Sequence, residues 1–236
     1  MCVRYVLHKT DAALAAIAQA LSRPLATPDW VQPRFNVALT QVVPVVAAGP
    51  AAAAGEVRGM MWGYVPFYER GKPRRRLLPN AKAETAAASP AFRQAAAHRR
   101  CLVPANGFYE WQTVGREKRP HVFMLRDEEP FAFAGLWEPG AEQQPETFAI
   151  LTTGPNDVVR PVHHRMPVIL TGTAMGRWLG DQPLPAPEYA ALIRPLDAAR
   201  LTVRPVSRFV SNSRHEGPQC LAPPEPAADT PELPLG

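Results

Sequence analysis

The pattern of apolar and polar positions predicts many short strands and few helices. An apolar run at residues 3–7 predicts a strand, and Thr10 is expected to cap an alanine-rich helix at about residues 11–21. Ser89-Pro90 has the residues of a helix start, which predicts a second helix to about Arg100. Further strand-like runs lie at residues 41–46, 57–65, 101–104, 121–126, 131–137, 148–152, 166–170 and 201–206. This pattern favours an α+β fold, with short helices around a curved or barrel-like sheet.

The chain has 236 residues, of which 46% are hydrophobic, enough for one sizeable core. We find no internal repeat and no break between two units, so residues 1–220 are predicted to form a single domain. Prolines 24, 28 and 33 mark an irregular stretch that is expected to continue through residues 34–36. Residues 221–236 are rich in Pro, Ala and Glu, which predicts a disordered tail.

Charge, cysteine spacing and hydropathy exclude several classes of protein. The net charge of +5 permits a polyanionic partner but does not establish one. The three cysteines are widely spaced, which is not typical of a disulfide framework, and no spacing suggests zinc or another metal. No apolar run is long enough to span a bilayer, and Arg4, His8, Lys9 and Asp11 interrupt any signal peptide. We therefore expect a cytoplasmic monomer without cofactor, metal or membrane contact.

Cys2 is the first candidate for chemistry because of its position. Removal of Met1 would leave an α-amine and a thiol on one residue, and such an aminothiol condenses with an aldehyde to a five-membered thiazolidine. The amine titrates near ~8 and the thiol near ~8.5, so both have a reactive fraction at neutral pH. Position alone favours the simpler interpretation, a cysteine that merely follows the initiator methionine.

Three other polar positions could take part in proton transfer. Glu110 lies among aromatic residues, where desolvation would raise its pKa, although an alternating strand could equally turn it to solvent. His163 and His164 are adjacent, and on a strand only one would face a site. Asn80 could donate to an oxyanion, but a turn or capping role is the commoner use of asparagine.

Basic and aromatic residues offer contacts for single-stranded nucleic acid. Phosphate contacts are expected from Arg4, the arginines of residues 70–76, Lys82, Arg165 and Arg208. Stacking on bases is expected from Trp62, Phe67, Tyr68 and Trp111. Solvated arginines and core aromatics are the alternative, and for about half of the aromatics core packing is favoured.

Eight blocks in order resemble the SRAP family, the SOS-response-associated peptidases or abasic-site-shielding proteins, over nearly the whole chain to about residue 215. The blocks are Met1-Cys2 with Arg4, Arg34-Phe35-Asn36-Val37-Ala38, Trp62-Gly63-Tyr64-Val65-Pro66, Asn80-Ala81-Lys82-Ala83-Glu84-Thr85, Cys101-Leu102-Val103-Pro104-Ala105, Gly107-Phe108-Tyr109-Glu110-Trp111, His163-His164-Arg165-Met166-Pro167-Val168-Ile169-Leu170 and Pro205-Val206-Ser207-Arg208. One block would be weak evidence, whereas eight in the family's order are specific.

The resemblance implies one SRAP domain with a β-barrel-like core that binds single-stranded DNA. It implies that Cys2 crosslinks to abasic sites, that Asn80 positions Cys2 and the sugar aldehyde, and that Glu110 shuttles protons. His163, the first histidine of the family's pattern, is implied to contact the opened sugar and to assist crosslink reversal. The DNA contacts it implies are Arg4, Asn36, Trp62, Phe67, Lys82, Trp111, Arg165, Ser207 and Arg208.

This sequence departs from the family pattern at three positions. Val3 replaces the usual glycine after the cysteine and adds bulk beside the nucleophile. Tyr5 stands where phenylalanine is common. Lys82 stands where arginine is usual, which keeps the charge but loses bidentate phosphate binding.

Two other functions stay open at the level of sequence. A cysteine peptidase that removes its own Met1 would use the Cys2 thiolate, with His163 as base and Asn80 or Glu110 to orient it. A non-catalytic DNA-binding module would need the basic loop and the aromatics but neither Cys2 nor Glu110. The presence of all the reactive residues in family context favours the covalent function.

Overall fold

The protein has an α+β fold in which two β structures pack on each other. The computed structural model describes residues 3–48, 55–72, 75–141, 144–180 and 182–225. The strands of these ranges are β1 Arg4–Leu7, β2 Arg34–Ala38, β3 Val42–Ala48, β4 Gly55–Trp62, β5 Asn80–Lys82, β6 Arg100–Ala105, β7 Gly107–Val114, β8 Glu117–Leu125, β9 Phe131–Glu138, β10 Thr147–Thr153, β11 Met166–Pro167, β12 Ile169–Leu170 and β13 Leu201–Pro205. The α-helices are α1 Thr10–Ala20, α2 Ala83–Ala86, α3 Arg93–His98, α4 Thr173–Leu179 and α5 Ala186–Leu192.

The first β structure, the outer sheet, is antiparallel with the strand order β13-β8-β7-β1-β2. The second is a barrel, in which β10, β4, β3, β6 and β9 pair in turn. The ring closes because β9 pairs with β10 as well as with β6. The short strand β5 lies parallel to β10 and extends this side of the barrel.

Period-two alternation distributes the apolar side chains between separate clusters. In β1, Tyr5 and Leu7 pack in the cluster shared with the barrel, whereas Val6 packs on the other face with Tyr109 and Val122. The barrel strands alternate in the same way, so that Val103 faces the outer sheet and Leu102 faces the helices. The strands β6, β9 and β10 are therefore buried on both faces, which explains their long apolar runs in the sequence.

A C-terminal strap, defined as residues 206–221, covers the other face of the outer sheet. Val206, Val210 and Cys220 are buried there against Tyr109 and Val122. The predicted tail at 221–236 begins at the end of this strap, and its residues 226–236 lie outside the described part of the chain. Among the described residues, no helix combines the length and the apolar character needed to cross a bilayer.

Four local predictions were wrong. The single strand predicted at residues 166–170 is two strands, because Val168 switches partner: its N–H donates to Leu151 O and its carbonyl accepts from Ala134 N–H. Residues 34–36 belong to β2, since they pair with β1. The remaining two concern helix starts.

Both predicted helix starts are displaced. Thr10 is the first residue of α1 and does not cap it; its hydroxyl donates to Leu7 O. The second helix begins at Arg93, because Ser89 O accepts the N–H groups of Phe92 and Arg93 in a turn that precedes the helix.

Candidate active site

Glu110 is a buried carboxylate in the middle of a strand. It follows Phe108 by two residues in β7, so both side chains point to the face that packs on the barrel. The residue is 3% exposed. Burial raises the pKa of Glu110 to about 7, because the charged carboxylate loses its hydration. A carboxyl group with this pKa can both donate and accept a proton near neutral pH.

His163 lies beside Glu110, on the loop that follows β10. The Oε1 of Glu110 and the Nδ1 of His163 are 3.9 Å apart. A turn fixes this loop, since the N–H groups of Val162 and His163 both donate to Val159 O. Burial lowers the pKa of His163, which favours the neutral imidazole at pH 7. His164 stacks on His163 with 4.4 Å between ring centroids but is itself exposed.

The backbone of Arg165 sets the orientation of the His163 ring. The Nδ1 of His163 lies 3.1 Å from the N–H nitrogen of Arg165 and 3.0 Å from its carbonyl oxygen. In one tautomer Nδ1 accepts from the N–H, and in the other it donates to the carbonyl. Either way, the ring is held by the residue two positions later in the chain.

Asn80 reaches the same region from a different strand. It begins β5 and lies opposite Ile150 of β10, the strand that leads into the loop of His163. Its side chain is half-buried, with an oxygen that is shielded from solvent. Asn80 lies beside β10 and His163 follows β10 in the chain, whereas the contact between Glu110 and His163 is direct.

Cys2 lies outside the described residues, and its immediate neighbour Val3 lies within them. Tyr5 pairs with Phe108 and Val6 with Gly107 in the antiparallel register of β1 and β7. Continued by two residues, this register brings Val3 to the level of Glu110. Cys2 is bonded to Val3, and consecutive Cα atoms are about 3.8 Å apart. The residue next to Cys2 in the chain therefore lies level with Glu110 along β7.

An ion pair that was not predicted from the sequence borders the site. Both terminal nitrogens of Arg165 donate to the carboxylate of Glu84, each at 2.8 Å. One of them also donates to the backbone oxygen and, at 3.3 Å, to the hydroxyl of Thr152. Glu84 stands in a block that carries the family resemblance, but the sequence does not identify Arg165 as its partner. The sequence predicted that the Arg165 guanidinium would bind a DNA phosphate. In this structure its two terminal nitrogens bind the Glu84 carboxylate.

Two of the residues predicted to contact DNA are buried in the structure. Trp62 is fully buried, and its indole N–H donates to Pro79 O, so neither face of the ring can stack on a base. Asn36 is also fully buried, and its amide nitrogen donates to the carbonyls of Val210, Asn212 and His215. Asn36 therefore fastens the C-terminal strap to β2.

Two more of the predicted DNA contacts form hydrogen bonds to the strap or within it. Arg4 donates to the Asn36 side-chain oxygen and to the carbonyls of Val210 and Ser211. Burial lowers its pKa from the usual arginine value. The Ser207 hydroxyl accepts from Phe209 N–H and caps a short 3-10 turn at Arg208–Ser211. Both residues can still approach a ligand, but their present bonds hold the protein together.

The remaining predicted contacts lie at the surface. Phe67 is 54% exposed on the 3-10 turn Phe67–Glu69, and Lys82 is exposed at the end of β5. Arg208 is exposed in an ion pair with Glu117. Trp111 is partly buried, with its indole N–H on the Ser211 hydroxyl and the Arg4 guanidinium 6.0 Å from its ring centroid. These four side chains can reach a nucleic acid without disturbing the core.

A second buried carboxylate was not predicted from the sequence. Glu138, at the end of β9, accepts from Arg70 at 2.6 Å, from Arg99 at 2.8 Å and from the Tyr64 hydroxyl at 2.7 Å. Arg70, whose side chain is 32% exposed, is thus paired with this carboxylate and anchors the turn of Phe67. In the sequence, Glu138 merely follows an apolar strand and gives no sign of these partners.

Comparison with known proteins identifies the family of this chain. The model of the family described as SOS response associated peptidase (SRAP) matches residues 1–213. The chain is 31% identical to the abasic site processing protein YoqW of Bacillus subtilis, over 80% of this chain and 85% of that protein. It is 33% identical to the abasic site processing protein HMCES of Gallus gallus, over 70% of this chain and 57% of that protein.

A third relative matches over nearly the full length. The chain is 27% identical to the abasic site processing protein YedK of Escherichia coli, over 94% of this chain and all of that protein. A crystal structure of a protein from Bacteroides thetaiotaomicron has the same fold, with a TM-score of 0.72, 23% identity and coverage of 94% of this chain and 97% of that one.

Proposed function

Because the chain belongs to the SRAP family, we propose that it captures the aldehyde of abasic sites in single-stranded DNA through a covalent bond to Cys2. The relatives named as abasic site processing proteins support this class of substrate. The observation that carries the proposal is the buried pair of Glu110 and His163 at the level of Val3, the residue next to Cys2.

The reaction is a condensation of an aminothiol with an aldehyde. After removal of Met1, the α-amine of Cys2 adds to the aldehyde carbon, and loss of one water gives an imine. The thiolate then adds to the imine carbon while the nitrogen takes up a proton, which closes the thiazolidine ring. The net change is the loss of one water, with no oxidant or cofactor. Ring closure is favoured because it is intramolecular.

The buried residues supply the proton transfers that these steps need. Glu110, with its pKa raised to about 7 by burial, donates a proton to the departing hydroxyl and can accept one from the thiol. His163 is neutral at pH 7 and can accept or donate a proton at the opened sugar. Asn80 can donate through its amide to the sugar oxygen and accept from the Cys2 amine.

The surface around the site supplies contacts for a single strand. Lys82 lies two residues from Asn80, so a cation accompanies the reactive residues. Trp111 directly follows Glu110 and therefore takes the opposite face of β7, where it packs beside the strap. Stacking plus positive charge is a common way to bind single strands without sequence preference. Phe67 and Arg208 are the exposed residues that would extend this contact.

The test is denaturing electrophoresis of the protein with a single-stranded oligonucleotide that holds one abasic site. We expect a denaturant-stable adduct from the unaltered protein and none from Cys2→Ala, with reversible DNA binding retained. Cys101→Ala and Cys220→Ala are matched controls, because both thiols are buried and should leave the adduct unchanged.

Each other outcome identifies a different function. A full adduct from Cys2→Ala would refute capture by Cys2 and point to a lysine. Tight DNA binding without any adduct would indicate a non-catalytic binding module. Release of peptides by the unaltered protein, without an adduct, would indicate a cysteine peptidase that uses Cys2 and His163.

A further inference from the structure

Two segments that carry proposed active-site residues are joined by one ion pair. Asn80 begins β5, which leads directly into α2 and Glu84, and His163 precedes Arg165 by two residues. We propose that the ion pair of Glu84 and Arg165 is a clamp that holds Asn80 and His163 in a fixed relative position for the reaction. This inference rests on the proposed function and assigns a positioning role to Glu84, which contacts no reacting atom.

The side-chain contacts span the strand between the two segments. The Arg165 guanidinium bonds to Glu84 on one side and to the hydroxyl and carbonyl oxygens of Thr152 on β10. The Thr152 hydroxyl lies 3.4 Å from the carbonyl of Ala81, which is adjacent to Asn80. The chain of contacts therefore runs from the loop of His163, across β10, to the segment of Asn80.

The geometry of the pair is suited to holding a position. Two parallel N–H···O bonds fix the relative orientation of both groups, which a single bond cannot do. The Arg165 side chain is only 16% exposed, so water competes weakly for its donors, whereas Glu84 is 44% exposed. The bond to Arg165 lowers the pKa of Glu84, so its carboxylate stays charged at neutral pH.

The backbone of Arg165 passes this constraint to His163. Both backbone contacts of the His163 Nδ1 are to Arg165, at 3.0 and 3.1 Å. If Arg165 moves, the ring loses these contacts, and its 3.9 Å separation from Glu110 changes with them. Reacting groups need a defined distance, so a small displacement should slow the reaction more than it weakens DNA binding.

The test also distinguishes the clamp from a second role for Glu84, competition with DNA. A DNA phosphate would bind the Arg165 fork as a carboxylate does, and Glu84 would then compete with DNA. In that case, removal of the Glu84 charge would tighten DNA binding. As a clamp, Glu84 should affect the rate at saturating DNA and leave affinity nearly unchanged.

The first measurement is the rate of adduct formation by Glu84→Gln at saturating abasic-site DNA. We expect a loss of about tenfold or more, with the DNA dissociation constant within about twofold of that of the unaltered protein. Arg165→Lys should give a similar loss, and the double variant should be no slower than the single ones. Glu128→Gln is the control, because Glu128 forms an exposed ion pair with Lys9 on segments that hold none of the proposed active-site residues.

The second measurement does not depend on adduct formation. A histidine NMR titration of Glu84→Gln should move the resonance of His163 and raise its pKa towards the usual value, as water reaches the ring. The nearby groups Glu110, His164 and Lys118 are unchanged in this variant. The resonances of two other histidines, His98 at the end of α3 and His215 in the strap, serve as references and should not move.

The outcomes separate failure of the clamp from failure of the proposed function. An unchanged rate and an unchanged His163 resonance would overturn the clamp, as would tighter DNA binding at an unchanged rate. If the unaltered protein forms no adduct, the proposed function fails, and the NMR measurement alone then decides whether Glu84 positions His163.

Discussion

The carboxylate of Glu110 and the imidazole of His163 lie 3.9 Å apart, and burial moves their pKa values in opposite directions. The pKa of the acid rises to about 7, whereas that of the base falls, so the carboxyl group titrates near neutral pH and the imidazole is neutral there. Neither group is then locked in its charged form, which suits an exchange of protons with a substrate. A strand and a loop that are distant in sequence are needed to build this pair.

Glu110→Gln should slow adduct formation by about 100-fold or more, with little loss of DNA affinity, because the amide keeps the shape but cannot transfer a proton. In the unaltered protein, the rate should change with pH around 7, where Glu110 titrates. Rapid-quench measurements of adduct formation between pH 5 and 9 test this. A pH profile of Glu110→Gln that matches the unaltered protein would exclude Glu110 as the titrating group.

Glu110 should also make the stability of the protein pH-dependent. Its folded pKa of about 7 lies above the usual glutamate value, so folding favours the protonated form. The contribution is fully present below the unfolded pKa and is lost as the pH rises through about 7. Denaturant unfolding should show this decline for the unaltered protein and a smaller one for Glu110→Gln, by an amount of the order of 1–3 kcal/mol.

Much of the fold follows from the sequence because strand alternation is a local property. Runs such as residues 131–137 and 148–152 were predicted as strands, and β9 and β10 lie there. The eight family blocks also identified Glu110 and His163 without knowledge of their distance. That distance depends on how β7 packs beside the loop after β10, and this is not encoded in any short segment.

The exposure of aromatic residues was the least predictable feature. Trp62 and Trp111 both stand in family blocks that contain a glycine and another aromatic residue, yet one is buried and the other reaches the surface. The difference arises from the face of the sheet that each side chain takes and from what covers that face. Asn36 is similar, because a buried polar residue needs partners, and its partners come from a strap at the other end of the chain.

Trp62→Ala and Trp111→Ala should therefore have opposite effects. The first should lower the free energy of unfolding by about 3–5 kcal/mol, since it leaves a cavity in the core. The second should weaken single-strand binding by about 1–3 kcal/mol, since it removes a stacking surface. Denaturant unfolding and fluorescence anisotropy of labelled DNA measure the two quantities. Loss of DNA affinity in a folded Trp62→Ala protein would contradict the core role.

Lys82→Ala should reduce the salt dependence of DNA binding. Each phosphate neutralised on a single strand contributes a slope of about −0.7 in the logarithm of affinity against the logarithm of salt concentration. Loss of one such contact should make the slope less negative by about that amount for every sequence tested. Arg177→Ala is the charge-matched control, because Arg177 lies on α4, outside the segments that carry the proposed site residues, and pairs there with Glu188 of α5. An equal change in both variants would indicate only a net-charge effect.

The free α-amine of Cys2 should be as necessary as its thiol. A thiol alone gives an aldehyde a thiohemiacetal, which reverses readily, whereas thiol and amine together close a ring. A tag that remains attached to the N-terminus converts the amine to an amide, whose nitrogen cannot form an imine. The tagged protein should bind single-stranded DNA normally yet form no stable adduct, and proteolytic exposure of Cys2 should restore the adduct. Mass spectrometry of the trapped peptide should show Cys2 at its N-terminus and the loss of one water, and equally fast crosslinking by the tagged protein would refute the thiazolidine.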